Sequence, residues 1–203
     1  MTFGAFLAIW AIHLAAAMSP GPAVILAART GMSEGRRTGD ALAIGFGLGA
    51  VIWAFAALAG LALVFEVAPR ALVALKLCGA GYLLWLAVQM WRHAADPIAA
   101  PEARSPRSTG SAVRLGIGAM LANPKPAVFF GAVFAGLLPP GTGLGWYPAL
   151  LAAVFLNDAG WTLIVARAFA IDRVRRAYAR AKAWIDRGFG LALGALGLRF
   201  ALP

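Results

Sequence analysis

Long apolar stretches, separated by short charged segments, dominate the pattern along the chain. Residues 1–28 and 41–65 contain no Asp, Glu, Lys or Arg, and four further stretches are nearly as apolar: 71–91, 115–138, 146–166 and a shorter one from about 184 or 188 to the C-terminus. A helix needs about 20 apolar residues to cross a bilayer core of ~30 Å. Because these stretches do not alternate between apolar and polar residues, they do not fit the strands of a membrane β-barrel. The pattern predicts six transmembrane helices, the sixth of them short.

Composition places the chain among integral membrane proteins. Of its 203 residues, 62% are hydrophobic and only 13% are charged, whereas soluble domains carry about 25% charged residues. The apolar content is far too high for a disordered chain. We therefore expect an all-α integral membrane protein in which residues 1–203 form a single membrane domain.

Basic residues are concentrated in alternate connections between the predicted helices. The formal net charge is +10, and 14 of the 18 Lys and Arg residues fall in segments 29–37, 92–114 and 167–187. Segments of this kind lie in the cytoplasm, so both termini are expected outside. A basic chain can also bind nucleic acid, but the position of these charges between apolar stretches favours a membrane protein without a nucleic-acid partner.

Two of the basic segments are expected to have further roles. Segment 92–114 is rich in Pro, Ala and Arg and is predicted to be a flexible cytoplasmic linker between a first half, 1–91, and a second half, 115–203. Segment 171–187 places basic and apolar residues at helical spacing, as in an amphipathic helix on an anionic membrane surface. A solvated basic loop that only fixes the topology is an equally good interpretation of this segment.

Two predicted helices, the first and the fourth, contain paired prolines. The sequences are Ser19-Pro20-Gly21-Pro22 and Asn123-Pro124-Lys125-Pro126. Proline lacks an N–H group and interrupts a helix, and irregular backbone inside a membrane must be buried in protein or line a wet cavity. The breaks occupy corresponding positions in two halves of three helices each, which predicts an inverted repeat with broken helices 1 and 4. A simple kink in each helix is the alternative.

Each break is expected to start a half-helix that points its free N–H groups into the protein. Such an end carries partial positive charge and attracts anions, and Ser19 and Asn123 occupy the positions expected of N-caps. Paired breaks of this kind point to the substrate site of a transporter. The candidate substrate-binding residues at the breaks are therefore Ser19, Pro20, Gly21, Pro22, Asn123, Pro124 and Lys125.

Few ionisable residues lie within the predicted spans, and each costs ~2.5–3.5 kcal/mol if it is exposed at the bilayer centre. Asp158, next to Asn157, is the only acidic one, while Lys125 lies in the second break and Lys76 near the start of the third helix. Asp158 is expected to carry a proton or to bind a substrate ammonium, or else to form a structural ion pair, with Lys125 as its expected partner. His13 is more simply explained as a packing residue.

The sequence lacks the signatures of an enzyme or of a cofactor site. It contains no HExxH motif, no Gly-rich phosphate loop and no Walker lysine motif, and a single cysteine, Cys78, cannot form a dithiol redox pair. Too few His, Cys and acidic residues lie within the spans to build a metal site. Glycines at small-residue spacing, such as Gly45, Gly49, Gly190 and Gly194, predict close helix packing within one chain, although a homodimer is left open.

Several stretches together resemble the LysE/RhtB family of amino-acid exporters over nearly the whole chain. These are Ser19–Pro22, Gly35–Gly39 followed by Gly45 and Gly49, Lys76 with Gly79–Leu83, Asn123–Lys125 with Phe129, and Asp158. The chain departs from the family at Met120, where an Asn is common, and at Phe134-Ala135, where a Phe-Pro pair is common. The resemblance implies six helices in two inverted halves. It also implies export of amino acids or related small metabolites across the bacterial cytoplasmic (inner) membrane, driven by proton exchange.

These observations predict a secondary exporter that is not an enzyme and needs no cofactor. Its partners would be an amino acid or derivative, protons and membrane lipid, with Asp158 and Asn157 at the substrate site and Asp158 coupling transport to protons. The main alternative is export of metal or other ions on a similar scaffold, which would need more acidic or His ligands than the spans contain. A membrane thiol-electron carrier would need a second cysteine, and a passive channel would conduct without a proton gradient.

Overall fold

Eight α-helices make up most of the chain that the structure describes. The computed structural model covers residues 1–19, 21–67, 69–96, 105–139 and 141–201, with all side chains in them except those of residues 61–76, Pro124, Arg175 and Phe200. The helices are α1 (Phe3–Met18), α2 (Pro22–Glu34), α3 (Arg36–Val67), α4 (Pro69–Arg92), α5 (Thr109–Leu121), α6 (Pro124–Leu137), α7 (Tyr147–Phe169) and α8 (Asp172–Ala201), with a short 3₁₀ turn at Leu144–Trp146. No strand occurs in the described residues, and the predicted all-α class is confirmed.

The chain bends sharply at both of the proline-rich segments. α1 and α2 meet at 58° and α5 and α6 at 59°, each across a break of at most four residues. The cause is the same at both places, because Pro22 and Pro124 open the second helix of each pair and cannot donate the N–H group that would continue the preceding helix. The predicted breaks are confirmed, whether each pair is one broken span or a re-entrant loop.

Two described helical segments are by themselves long and apolar enough to cross a membrane. These are Arg36–Gly60 and Leu144–Phe169, and the count rises to four if each bent pair forms one span. The predicted six spans are not confirmed.

The side chain of Lys76 and residues 97–104 of the predicted linker lie outside the described part of the chain. α8 is a single helix that includes nearly all of segment 171–187, so this segment is helical and not a loop.

The helix α5, which follows the predicted linker, begins before residue 115. α5 starts at Thr109, because the Ser108 hydroxyl caps it by accepting a hydrogen bond of 3.3 Å from a backbone N–H of its first turn. Just before this cap, Arg107 donates to the buried Glu34 carboxylate from its side-chain Nε (2.8 Å) and from its backbone N–H (3.2 Å). The end of the predicted flexible linker is thus fixed to the end of α2.

The helix contacts divide the bundle into two comparable sets. α3 packs along α7 and α4 along α8, so each long helix pairs with its counterpart in the other half. α3 also contacts α5 and α6, and α7 likewise contacts α1 and α2. Two related halves, α1–α4 and α5–α8, and their opposite direction across the membrane stay predictions.

Glycines allow a very close contact between α3 and α5. A methyl group at Gly45 would overlap the Val113 carbonyl oxygen, and one at Gly116 would overlap the Leu42 carbonyl oxygen, so the two backbones touch there. Glycines of α8 pack against α4 in the same way. The small residues singled out in the sequence thus serve packing within the chain, and the contact with α3 fixes the helix that leads into the second break.

Candidate functional site

The first break is closed on the α1 side by Ser19. The Ser19 N–H bonds the carbonyls of Ala15 (3.1 Å) and Ala16 (3.2 Å), and its hydroxyl donates to the Ala16 carbonyl at 2.7 Å. Ser19 is therefore the C-cap of α1, and the prediction that it is an N-cap is wrong. The reason is its position, because α2 begins at Pro22 and the residue directly before it is Gly21.

The start of α2 has backbone donors that no side chain caps. Its N-cap, Gly21, has no side chain, and Pro22 has no N–H group. The N–H groups of Ala23 and Val24 precede the first intrahelical bond, which Ile25 makes to the Gly21 carbonyl at 3.0 Å. These two donors, at the positive end of the helix dipole, form a position suited to an anion.

At the start of α6, the backbone N–H groups are either missing or already hydrogen-bonded. Pro124 and Pro126 have no N–H group, and the Lys125 N–H donates to the Asn123 side chain at 3.1 Å. The predicted N-cap role of Asn123 is therefore confirmed. Within the described residues, α2 keeps the free N–H groups that the sequence predicted for both half-helices, whereas the cap and the two prolines occupy the first turn of α6.

The side chain of Lys125 connects the two breaks. Its ammonium donates to the Ala16 carbonyl at 3.1 Å and to the Ser19 hydroxyl, both at the C-terminal end of α1. A cation is favoured there because unpaired carbonyls give this end of a helix a partial negative charge. The prediction of an ion pair between Lys125 and Asp158 is wrong, since in the described residues each charge has a different neighbour.

Asp158 lies against a buried histidine of α1. His13 is 5% exposed and Asp158 9%, and His13 Nε2 lies 3.1 Å from Asp158 Oδ2. The ring N–H does not point at this oxygen, so the contact is short without being a hydrogen bond, and Oδ2 has no hydrogen-bond partner among the described residues. A buried carboxylate oxygen without a donor is costly. Oδ2 can therefore bind a proton or accept a hydrogen bond from a cationic ligand.

Contacts with Asn157 define which nitrogen of His13 carries the proton. Asn157 Nδ2 lies 3.0 Å from His13 Nδ1 and 3.2 Å from the Trp10 carbonyl, which can only accept. The amide nitrogen therefore faces α1 and donates to both groups, so Nδ1 accepts. The neutral ring then carries its proton on Nε2, next to Asp158, and a second proton on Nδ1 would face the Asn157 N–H group.

A small cavity lies between these groups and is called the central cavity here. Its volume is about 50 Å³, which is room for a few water molecules. Both breaks and the buried polar groups line it, through His13, Ser19, Gly21, Pro22, Asn123, Lys125, Pro126 and Asp158. Lys125 and Asp158 thus face one space without touching each other. Opposite charges on one cavity are suited to the two ends of a zwitterion.

The central cavity is nearly closed on one side and continues on the other. Beyond His13 and Asn157, only about 10 Å³ of space remains between mostly apolar side chains of α1, α6 and α7. On the other side lies a cavity of about 660 Å³, the vestibule, with walls from α2, α4 and α8. The vestibule shares part of its lining with the central cavity, namely Gly21, Pro22, Val24, Asn123 and Lys125.

Most of the predicted site residues come together at the central cavity. Asn157 does not line it and instead holds His13 in place, while Pro20 and the side chain of Pro124 lie outside the described part of the chain. His13, which the sequence analysis explained as a packing residue, also lines this cavity. The signal was present, because His13 is a titratable residue within an otherwise charge-free stretch, the same criterion that selected Asp158.

No metal-binding group is present in the described residues. No three His, Cys, Asp or Glu side chains lie close enough together there to hold a metal ion. His13 and Asp158 form only a pair, and Cys78 is exposed on α4. A transition-metal site would need additional ligands of these types.

Comparisons with known proteins identify the family. The family model of the LysE type translocator matches residues 14–203. The chain is 30% identical over 201 residues to the threonine efflux protein of Escherichia coli (strain K12), with 97% of each chain covered. It is 32% identical over 140 residues to the homoserine/homoserine lactone efflux protein of Salmonella typhi, covering 69% of this chain and 68% of that one.

No solved structure shows a significant match to the chain. The family match nevertheless covers most of the described helices and both breaks. Members of this family are translocators, which move a solute through a membrane and do not transform it. The chain belongs to the LysE type translocator family and is a membrane transporter, not an enzyme.

Proposed function

We propose that this protein is a secondary exporter that moves amino acids or related small metabolites out of the cytoplasm in exchange for protons. The carrying observation is that Lys125 and Asp158, two opposite charges, line one cavity at the point where both broken helix pairs meet. Efflux of threonine and homoserine by the relatives supports this class of substrate. Threonine is therefore the first compound to test.

The substrate carboxylate binds between Lys125 and the start of α2. The free N–H groups of Ala23 and Val24 supply two donors, and the Lys125 ammonium supplies the charge. Bonds to charged groups are the stronger hydrogen bonds, so a carboxylate can displace the neutral Ser19 hydroxyl from Lys125. The substrate carboxylate thus takes the place of the Ser19 hydroxyl as a partner of Lys125.

The substrate ammonium binds at Asp158. Its Oδ2 is buried, lacks a hydrogen-bond partner among the described residues and belongs to the lining of the central cavity. An ammonium group would satisfy this oxygen and offset the cost of burying the carboxylate charge. Because about 50 Å³ holds only a few waters, the cavity must widen around the substrate.

Coupling to protons follows from competition for the same carboxylate. A proton on Asp158 removes the negative charge that attracts the ammonium, so proton binding and substrate binding exclude each other. His13 Nε2 lies 3.1 Å from this carboxylate, and Nδ1 of the same ring contacts Asn157. In this proposal Asp158 is the proton carrier, because it is the group for which the substrate ammonium and the proton compete.

Access to the site alternates between the two faces of the membrane. In this structure the wide vestibule leads to the central cavity, and mostly apolar side chains close the opposite end. The basic segments support a cytoplasmic position for the vestibule, whose outer wall includes the end of α4 and the basic part of α8. This arrangement corresponds to an inward-open state from which substrate is loaded.

Transport by purified protein in liposomes tests this function. Vesicles loaded with labelled threonine should release it faster when the outside is made acidic, because protons enter as threonine leaves. Asp158→Asn should abolish this acceleration, since an amide cannot carry the proton. Asp96→Asn, which changes an exposed acid, should keep it.

Each outcome separates one part of the proposal. If wild-type vesicles release neither threonine nor any other amino acid, export of amino acids is wrong. If wild-type release occurs but ignores the gradient, the protein conducts passively. If Asp158→Asn retains the full acceleration, Asp158 is not the proton carrier.

A further inference from the structure

Asp186, on α8, is a buried acid that the proposed transport site does not use. It lines the vestibule and is only 4% exposed. Its Oδ2 lies 2.8 Å from the Lys182 ammonium, one helical turn away. Its Oδ1 is also buried but has no hydrogen-bond partner among the described residues. Such an oxygen costs free energy unless a donor reaches it.

Lys182 cannot supply the missing donor. An ammonium has three N–H bonds, and Lys182 directs them to the carbonyls of His93 (2.8 Å) and Ala94 (3.2 Å) and to Asp186 Oδ2. Lys182 thereby ties α8 to the C-terminal end of α4, where a cation is favoured. All three N–H bonds of the Lys182 ammonium are therefore in use, and none of them reaches Asp186 Oδ1.

The neighbouring groups do not satisfy Asp186 either. Burial and the negative charge of Asp186 raise the pKa of Tyr178 to about 12, so this phenol stays neutral at physiological pH. The guanidinium of the adjacent Arg187 lies over the Trp91 ring, 5.8 Å from its centroid. The described surroundings of Asp186 are therefore short of one cationic donor.

We infer that Asp186 binds the substrate ammonium in the vestibule, as a first station before Asp158. The inference rests on the proposed export of amino acids. A primary ammonium fits because it brings both the positive charge and the N–H donors that Oδ1 lacks. The substrate then passes to the central cavity at Lys125 and Gly21, which line both spaces, so the two acids act in series.

The Michaelis constant for threonine on the vestibule side tests this site. Threonine uptake into inside-out membrane vesicles should show a KM about tenfold higher in Asp186→Asn, because one hydrogen bond to a charged group is lost. The maximal rate should change far less, since Asp158 and Lys125 remain. Asp96→Asn should keep the wild-type KM, because Asp96 is exposed and its charge is solvated.

The variant Lys182→Gln tests whether Asp186 binds the substrate or only forms a structural ion pair with Lys182. This variant removes the Lys182–Asp186 contact but leaves the Asp186 carboxylate, so its KM should stay equal to or below that of wild type. If Lys182→Gln raises the KM as much as Asp186→Asn does, Asp186 acts only through the ion pair and the inference is wrong.

A substrate analogue makes the test independent of the amount of folded protein. The matching 2-hydroxy acid has the carboxylate and side chain of threonine but no ammonium. The ratio of the KM for this analogue to the KM for threonine should fall about tenfold in Asp186→Asn. An unchanged preference, with wild-type transport intact, overturns the vestibule site alone, whereas loss of all wild-type amino-acid transport overturns the proposed function with it.

Discussion

At Lys125 and Asp158, two charges that are costly inside a membrane each have a neighbour on α1. Lys125 bonds the end of α1 at Ala16 and Ser19, and Asp158 lies against His13. The partners of Lys125 are uncharged, and Asp158 Oδ2 accepts no hydrogen bond within the described residues. A zwitterion between them would compensate both at once, which explains why the two charges face one cavity without pairing.

Lys125→Met should raise the KM for threonine about tenfold, because the carboxylate loses its charged donor. Ser19→Ala is the matched variant, since it removes the neutral partner and leaves the ammonium free for substrate. Its KM should equal or fall below that of wild type. Competition by threonine and by its amino-alcohol analogue in transport assays measures both effects. If Lys125→Met weakens competition by threonine and by the amino alcohol equally, Lys125 has a structural role and does not bind the carboxylate.

His13→Phe should uncouple transport from protons while keeping the ring contact with Phe130, whose centroid lies 5.0 Å from that of His13. The variant removes both ring nitrogens from Asp158 and Asn157. Threonine exchange without a gradient should persist, and the acceleration by external acid should be lost. His93→Phe, at the exposed second histidine, is the control. Full gradient-driven efflux in His13→Phe would remove His13 from the coupling mechanism.

At the scale of helices, the molecule combines broken pairs with long helices that hold them. The bends of 58° and 59° expose one helix end on each side of a break. The close approach of α3 and α5 at Gly45 and Gly116 fixes the helix that precedes the second break. The position of Lys125 therefore depends on packing several turns away from the cavity.

Gly45→Ala should destabilise the protein by about 1–3 kcal/mol, because its methyl group would overlap the Val113 carbonyl oxygen. Gly118→Ala is the matched control, since Gly118 is exposed on α5 with open space around it. Its stability should change by less than about 1 kcal/mol. Thermal unfolding in detergent measures both variants. Equal midpoints for the two would contradict the assigned α3–α5 contact.

The sequence predicted the features that depend on neighbouring residues along the chain. A proline in the interior of a helix interrupts it, so both breaks were predictable, and so was the cap that Asn123 provides at the start of α6. Partners distant in sequence were not predictable. Lys125 bonds residues more than 100 positions earlier, and His13 meets Asp158 only because α1 packs on α7. The free oxygen of Asp186 likewise follows from the contacts of Lys182 with α4.

At the scale of the whole molecule, the cavities lined by the described residues differ greatly in size. The vestibule of about 660 Å³ narrows to the central cavity, and about 10 Å³ remains beyond it. The two halves contact each other mainly through α3 with α5 and α7 and through α4 with α8. Rocking of one half against the other is therefore the motion that would open the closed side during transport.

Cysteine labelling tests this one-sided access. In a Cys78→Ser background, Gln89→Cys in the vestibule should react with a membrane-impermeant thiol reagent in inside-out vesicles only, and threonine should slow the reaction. Leu144→Cys, on the exposed turn before α7, should react in right-side-out vesicles only. Labelling of both positions from the same face would contradict the proposed orientation.

The central claim is that the space between the breaks holds the two ends of an amino acid. The most direct measurement is an experimental structure of the protein with bound threonine. The account predicts the carboxylate within about 3 Å of Lys125 Nζ and of the Ala23 or Val24 N–H, with the ammonium at Asp158. Threonine bound elsewhere, with Lys125 still on Ser19 and Ala16, would contradict it.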